Sequence, residues 1–170
     1  MIDLNGTVGS TDITGLIAFC EIKALSISHI ALRSLTTRYP AIALAFWRYC
    51  MLDAARLTQW VINVGRRDAR QRLAHLLCEM AFRTGGERGP LLTYSLPITQ
   101  EQLADALALT SVHVNRVLKG IRTDGLATLK TGQVEIYDWT RLARIGEFDP
   151  SYLSPVRVDK QITLADTALT

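Results

Sequence analysis

Thr99–Leu126, TQEQLADALALTSVHVNRVLKGIRTDGL, decides how the rest of the chain is read. Thr99 is a favourable N-cap, and Gln102 stands at the third helical position, where its side chain closes a capping box. Leu103, Ala104 and Leu107 recur on one face of this first helix, and Leu109 fills a tight turn. Thr110 then caps a second helix whose inward positions are Val114, Val117, Leu118 and Ile121. Ala104 falls at the helix crossing, where a larger side chain would force the two axes apart. Left on the outer side of the second helix are Ser111, Val112, Asn115, Arg116, Lys119 and Arg122, three of them cationic.

Immediately downstream, LATLKTGQVEIYD carries two short alternating segments separated by Thr131 and Gly132, the pattern of a β-hairpin. Helix, turn, helix and hairpin in this order describe a winged helix-turn-helix. A DNA major groove admits one α-helix, arginine bonds bidentately to guanine, and asparagine does likewise to adenine. The expected DNA-facing set is Thr99, Thr110, Ser111, Val112, His113, Asn115, Arg116, Lys119 and Arg122, with Lys130 and Thr131 meeting phosphates from the hairpin tip. The same module with merely solvated cations would serve protein contacts, but cap, turn and wing together favour DNA.

Upstream of this unit, Asp68 caps a helix expected to run to about Thr84 with Leu73, Leu76, Leu77, Met80 and Ala81 inward. TGGERGP marks a loop, and Leu91 to Leu96 reads as a short strand. Before Asp68, Pro40 opens a stretch to Asn63 with no Gly or Pro inside it, closed by Gly65, which predicts a helix of about six turns. Ala43, Phe46, Trp47, Cys50, Ala54, Leu57, Val61 and Val64 form a heptad-like stripe along it, while Arg48, Asp53, Arg56, Gln59 and Asn63 lie largely elsewhere. A stripe of that length requires a partner, either its own domain or a dimer seam. Further upstream, Ile13 to Ile27 reads as one or two strands, followed by a short helix over about Ser28 to Thr37. After the hairpin come a helix over Trp139 to Ile145 and a polar tail beginning near Phe148.

Composition sets outer limits. The 170 residues are 48% hydrophobic and 21% charged, ordinary for a globular protein. No apolar run approaches the ~18 residues of a membrane span, and the N-terminus lacks the order of a signal peptide, so the expected compartment is the cytoplasm, with no membrane partner. Cys20, Cys50 and Cys78 are odd in number and widely spaced, which suits a reducing environment better than a disulfide framework. From Arg66 to Arg144 there are 12 Lys/Arg against 8 Asp/Glu, while the rest of the chain has 7 against 8. The basic excess therefore coincides with the helix-turn-helix.

Enzyme chemistry finds little support. His75, Cys78 and Glu79 share one helix face and could converge on a metal, but structural zinc requires four ligands and no second His/Cys pair appears. A capping or interfacial His beside a buried Cys is the favoured reading, with no metal and no cofactor. His29 and His113 lack the Ser/Asp or Cys context of a catalytic triad.

From about Ile13 to Leu153 the sequence resembles the Crp/Fnr family of bacterial regulators, relatives of the cyclic-AMP receptor protein. NVGRRDARQRLAHLLCEM, LPITQEQLADALALTSVHVNRVLKGIRTDGL and DWTRLARIGEFDPSYL carry the resemblance. It implies a mainly α, α+β architecture: a β-barrel sensor of the cyclic-nucleotide-binding type, a long dimerisation helix and a C-terminal winged helix-turn-helix. The expected organisation is a short β/α remnant of the sensor over 1–39, the dimerisation helix over 40–65, the DNA-binding domain over 66–148 and a tail over 149–170. Pro40–Val64 falls where the dimerisation helix belongs, which favours the seam over the self-packed reading of its stripe. Arg116 matches a recognition-helix arginine that reads guanine, and Lys119 matches a phosphate contact. Ser111 and Val112 stand where better-known members place an arginine and a glutamate, so the half-site of the cyclic-AMP receptor protein does not carry over to this chain.

The resemblance implies double-stranded DNA, a second copy of the chain and RNA polymerase as partners. Only 39 residues precede Pro40, and they lack both the glycine-, glutamate- and arginine-containing phosphate cassette and the cysteine cluster of the oxygen-sensing branch. The expectation is thus a regulator without most of its sensor that does not answer to cyclic nucleotides. A second expectation is an interaction protein that pairs through Pro40–Val64 with a full-length relative.

Overall fold

The computed structural model describes residues 7, 18, 21–85, 87–88 and 91–153. Its helices begin where their free N–H groups find acceptors or are missing. Ser28 accepts from Ala31 N at the start of α1 (His29–Arg38). Helix α2 (Pro40–Gly65) starts on a proline, which has no N–H to satisfy. Asp68 and Gln71 close a reciprocal capping box on α3 (Ala69–Thr84), and Gly85 ends that helix in the left-handed region with φ 67°. Thr99 and Gln102 do the same for α4 (Gln100–Leu107), Thr110 accepts from His113 N on α5 (Ser111–Thr123), and Asp138 from Arg141 N on α6 (Trp139–Ile145).

Four antiparallel strands complete the fold: β1 (Glu87–Arg88), β2 (Leu92–Ser95), β3 (Ala127–Lys130) and β4 (Gln133–Ile136), in the order β1-β2-β4-β3. Val134 lies opposite both Tyr94 and Leu129, and Ile136 opposite both Leu92 and Ala127. One face of the sheet therefore carries the apolar side chains to the helices. Thr131 and Gly132, both at positive φ (49° and 74°), join β3 to β4 in the manner of a two-residue primed turn. Leu96 N donates to Gly132 O at 2.7 Å, which ties the hairpin tip to the segment leading into α4.

The core is centred on α3. Leu73, Ala74, Leu76, Leu77, Cys78 and Ala81 are buried with Leu103 and Leu107 of α4, Val114 and Ile121 of α5, Leu126, the sheet residues and Leu142 of α6. Eight of the sixteen α3 residues are buried, more than the five inward positions expected, because helices and sheet enclose it rather than covering one side. His75 and Glu79 go into that interior with Cys78. His75 Nδ1 donates to Gly146 O at 3.0 Å, and Nε2 lies 3.0 Å from the Tyr152 hydroxyl oxygen. The same hydroxyl is 2.9 Å from Glu79 Oε2, and Glu79 Oε1 pairs with Arg83 at 2.7 Å. These side chains form a polar chain through the domain, and among the described residues no group of three His, Cys, Asp or Glu is placed to hold a metal ion.

Three sequence expectations need correction. Residues 21–28 carry no strand, and among the described residues no neighbouring strand offers them hydrogen-bond partners; the remainder of Ile13–Ile27, apart from Ala18, lies outside the described residues. The loop TGGERGP contains β1, which pairs Glu87 with Thr93 and Arg88 with Leu92. The polar tail does not begin at Phe148. That ring packs edge-on against His75, Trp139 and Tyr152, and a 3-10 turn over Pro150–Leu153 buries Leu153. Residues 154–170 lie outside the described residues.

Burial, then the Arg67 guanidinium, holds the His75 imidazole below its ordinary value, against the opposing pull of the Gly146 carbonyl, Glu79 and Glu147. The unfolded chain therefore takes up a proton near pH 6.5 that the folded ring resists, and stability falls as pH drops below that value. Denaturant midpoints measured from about pH 7.5 down to about 5.5 should decline, with a slope for this group of no more than about 1.4 kcal/mol per pH unit. In His75→Gln that component of the slope should vanish.

Candidate nucleic-acid interface

Helix α5 is held from beneath and bare on top. Val114 and Ile121 are fully buried, Val117 and Leu118 pack partly against the core, and α4 crosses below at the buried Ala104. Val112, His113, Asn115, Arg116, Lys119 and Arg122 are exposed, while Ser111 is half-buried at the first turn. The turn between α4 and α5 closes through Leu109 N to Ala104 O at 2.9 Å, with Leu109 partly buried as its sequence position implied. Ala108 takes the left-handed conformation there, with φ 52°. Nothing in the sequence signalled that strain, because the residue usually found at such a position is glycine.

The hairpin stands beside α5. Gln100, Asn115, Leu118, Lys119, Arg122, Thr128, Leu129 and Lys130 line a cleft of about 250 Å³ between the helix and β3. Lys119, Arg122 and Lys130 thus converge from two elements, and Thr131 is exposed at the tip. Sequence reasoning missed Gln100 and Thr128, whose places follow from the packing of the hairpin against α5. Among the described residues Arg116, Lys119, Arg122 and Lys130 form no ion pair, whereas Arg66, Arg67, Arg70 and Arg83 all do. Thr99 and Thr110 spend their hydroxyls on helix caps, 3.1 Å from Gln102 N and 3.2 Å from His113 N.

The second exposed surface lies on α2. Trp47, Leu57 and Val61 are 69%, 67% and 69% exposed, and Cys50, Ala54 and Val64 are exposed with them. Leu44 and Met51 extend the same surface, which the heptad reading had not included. Ala43 and Phe46 are half-buried, at the end of α2 where α1 packs. No helix among the described residues is long and apolar enough to cross a membrane.

Residues 71–145 match the model of the Crp-like helix-turn-helix domain. The transcriptional activator protein FnrL of Cereibacter sphaeroides is 37% identical over 97 residues, 54% of this chain and 38% of that protein. A CRP-like cAMP-activated global transcriptional regulator of Mycobacterium tuberculosis is 29% identical over 124 residues, 73% of this chain and 55% of that one. Among solved structures, FixK2 from Bradyrhizobium japonicum superposes with a TM-score of 0.62 at 22% identity, covering 70% of this chain and 59% of that one. The chain thus spans about a third to three fifths of the proteins it matches.

Relieving the backbone at Ala108 should leave the interface intact and stabilise it. Ala108→Gly is expected to raise unfolding stability by about 1 kcal/mol, because only the alanine Cβ opposes the left-handed turn; a thermal melt checks this, with a lowered midpoint as the contrary result. With its capped two-helix unit and its hairpin, the segment matched over residues 71–145 is a Crp-like helix-turn-helix domain.

Proposed function

We propose that this chain binds double-stranded DNA as a homodimer and regulates transcription from inverted-repeat operators. One observation carries the reading: the outer face of α5 presents Asn115, Arg116, Lys119 and Arg122 without ion-pair partners among the described residues, on a helix whose other face is fully anchored. Unpaired cations on a rigid helix meet anionic DNA without first breaking an internal contact. Arg116 and Asn115 read base edges, with Ser111, Val112 and His113 at the groove floor. Lys119, Arg122, Lys130 and Thr131 hold phosphates, and Thr99 and Thr110 present helix N-termini to the backbone. RNA polymerase is a further partner of a regulator of this kind.

Dimerisation follows from α2. A row of apolar side chains from Trp47 to Val64, with Leu44 and Met51, is costly to leave in water and is spaced for a parallel helix of the same kind. Pairing with a longer relative through the same helix is the second reading, and co-purification of such a relative favours it.

Two measurements test the proposal. Arg116→Ala should cost about 1–3 kcal/mol on a selected operator and relax preference at one base pair per half-site, whereas Lys119→Ala should weaken specific and random DNA alike. Equal losses on both DNAs for both variants remove Arg116 from the reading role. Leu57→Glu with Val61→Glu should give monomers by light scattering, and a wild type already monomeric at about micromolar concentration overturns the dimer.

A further inference from the structure

Only Arg66, Arg67 and Asp68 separate α2 from α3, a link short enough to aim the DNA-binding domain but able to bend. What restrains it comes from far along the chain. Arg67 is buried, with its guanidinium 3.3 Å from the Glu147 carbonyl oxygen and 3.6 Å from its carboxylate, and 3.5 Å from both Gln59 and Asn63 of α2. Arg66 approaches the same carboxylate at 3.7 Å. Beyond Glu147, the Pro150–Leu153 turn lies against α2 and α3 together, and Trp60 of α2 packs on the domain core.

Glu147 itself is out of character for its position. It follows α6 in the left-handed region, φ 48°, with its N–H directed to Arg144 O and the next N–H to Ala143 O, a helix ending that favours glycine. The preceding Gly146 offers no alternative, since a Cβ there would come within 2.5 Å of His75 N. The carboxylate of this strained residue faces the α2–α3 link, where it meets both Arg66 and Arg67. The core from Leu73 to Leu142 is closed without it.

We infer that Glu147 and Arg67 are positioning residues: they lock the winged helix-turn-helix onto the end of α2 and so set the spacing between the two recognition helices of a dimer. The lock selects operators by half-site separation, not by base sequence. This rests on the dimeric DNA-binding reading above, and it adds a specificity determinant outside the DNA-facing surface.

Glu147→Gly separates positioning from folding, because it removes the carboxylate while easing the backbone. Its melting midpoint should equal or exceed that of the wild type. On inverted repeats lengthened or shortened by two base pairs, which rotates one half-site by about 70°, the wild type should lose at least about tenfold in affinity and Glu147→Gly no more than about threefold. Single half-site affinity should not change. Arg67→Met should behave the same way in the spacing series. In parallel, hydrogen exchange on the full chain should quicken at the amides of residues 64–68 in Glu147→Gly and stay as in the wild type across α4 and α5. Unchanged spacing preference, or unchanged exchange at the link, overturns the inference. A wild type that binds no DNA defeats the reading under Proposed function, while the exchange experiment still decides whether Glu147 locks the link.

Discussion

Helix α3 is the axle on which the other elements of the DNA-binding half turn. Its capping box at Asp68 and Gln71 starts it sharply after α2, and its buried leucines then meet the sheet, α4, α5 and α6 on successive faces. A helix enclosed on most sides has little freedom to tilt without opening a cavity, and cavities in a close-packed core cost several kcal/mol per large side chain. The outer face of α5 is consequently presented at a fixed angle, the condition for any helix that reads base edges rather than merely sitting on phosphate.

Polar groups inside this axle follow from its enclosure. Once α3 is surrounded, its polar positions cannot all face water, so His75 turns to the Gly146 carbonyl and Glu79 to the Tyr152 hydroxyl, which donates to it, and to the Arg83 guanidinium. Those contacts fasten the segment after α6 to the interior and carry Glu147 to the link between α2 and α3. Tyr94 shows the same economy, donating from a buried hydroxyl to Leu77 O at 2.8 Å. Among the described residues, ion pairs gather on this side of the molecule, at the α3–α5 contact, where Arg70 meets Asp124, and within α2, where Arg56 meets Asp53. The opposite face keeps its cations unspent.

Exposure on α2 has a different origin. The eight exposed apolar positions can be covered by a partner helix or by a separate domain, and within the described residues only α1 and the DNA-binding half touch α2. Gln59, Trp60 and Asn63 face that half, which leaves the stripe on the other side. The two surfaces that matter for the proposed activity are thus joined through the short link between α2 and α3.

Much of this was legible in sequence because it depends on near neighbours. Thr99 with Gln102, Thr110, Asp68 and Pro40 act within one helical turn, Thr131–Gly132 within one hairpin, and the 3.6-residue period separates Val114 and Ile121 from Arg116 and Lys119 without reference to any other part of the chain. The strand expected before Ser28 failed in the described residues 21–27 for the converse reason: a β-rich composition makes a strand only when another strand supplies its hydrogen bonds. Tertiary structure alone decided that Phe148–Leu153 is core rather than tail, that Gln100 and Thr128 share a cleft with Lys119, and that Glu147 reaches Arg67. Those pairings span 9 to 80 positions of chain and depend on which surfaces the helices leave for the hairpin, α6 and the final turn to cover, a matter of packing that no local pattern encodes.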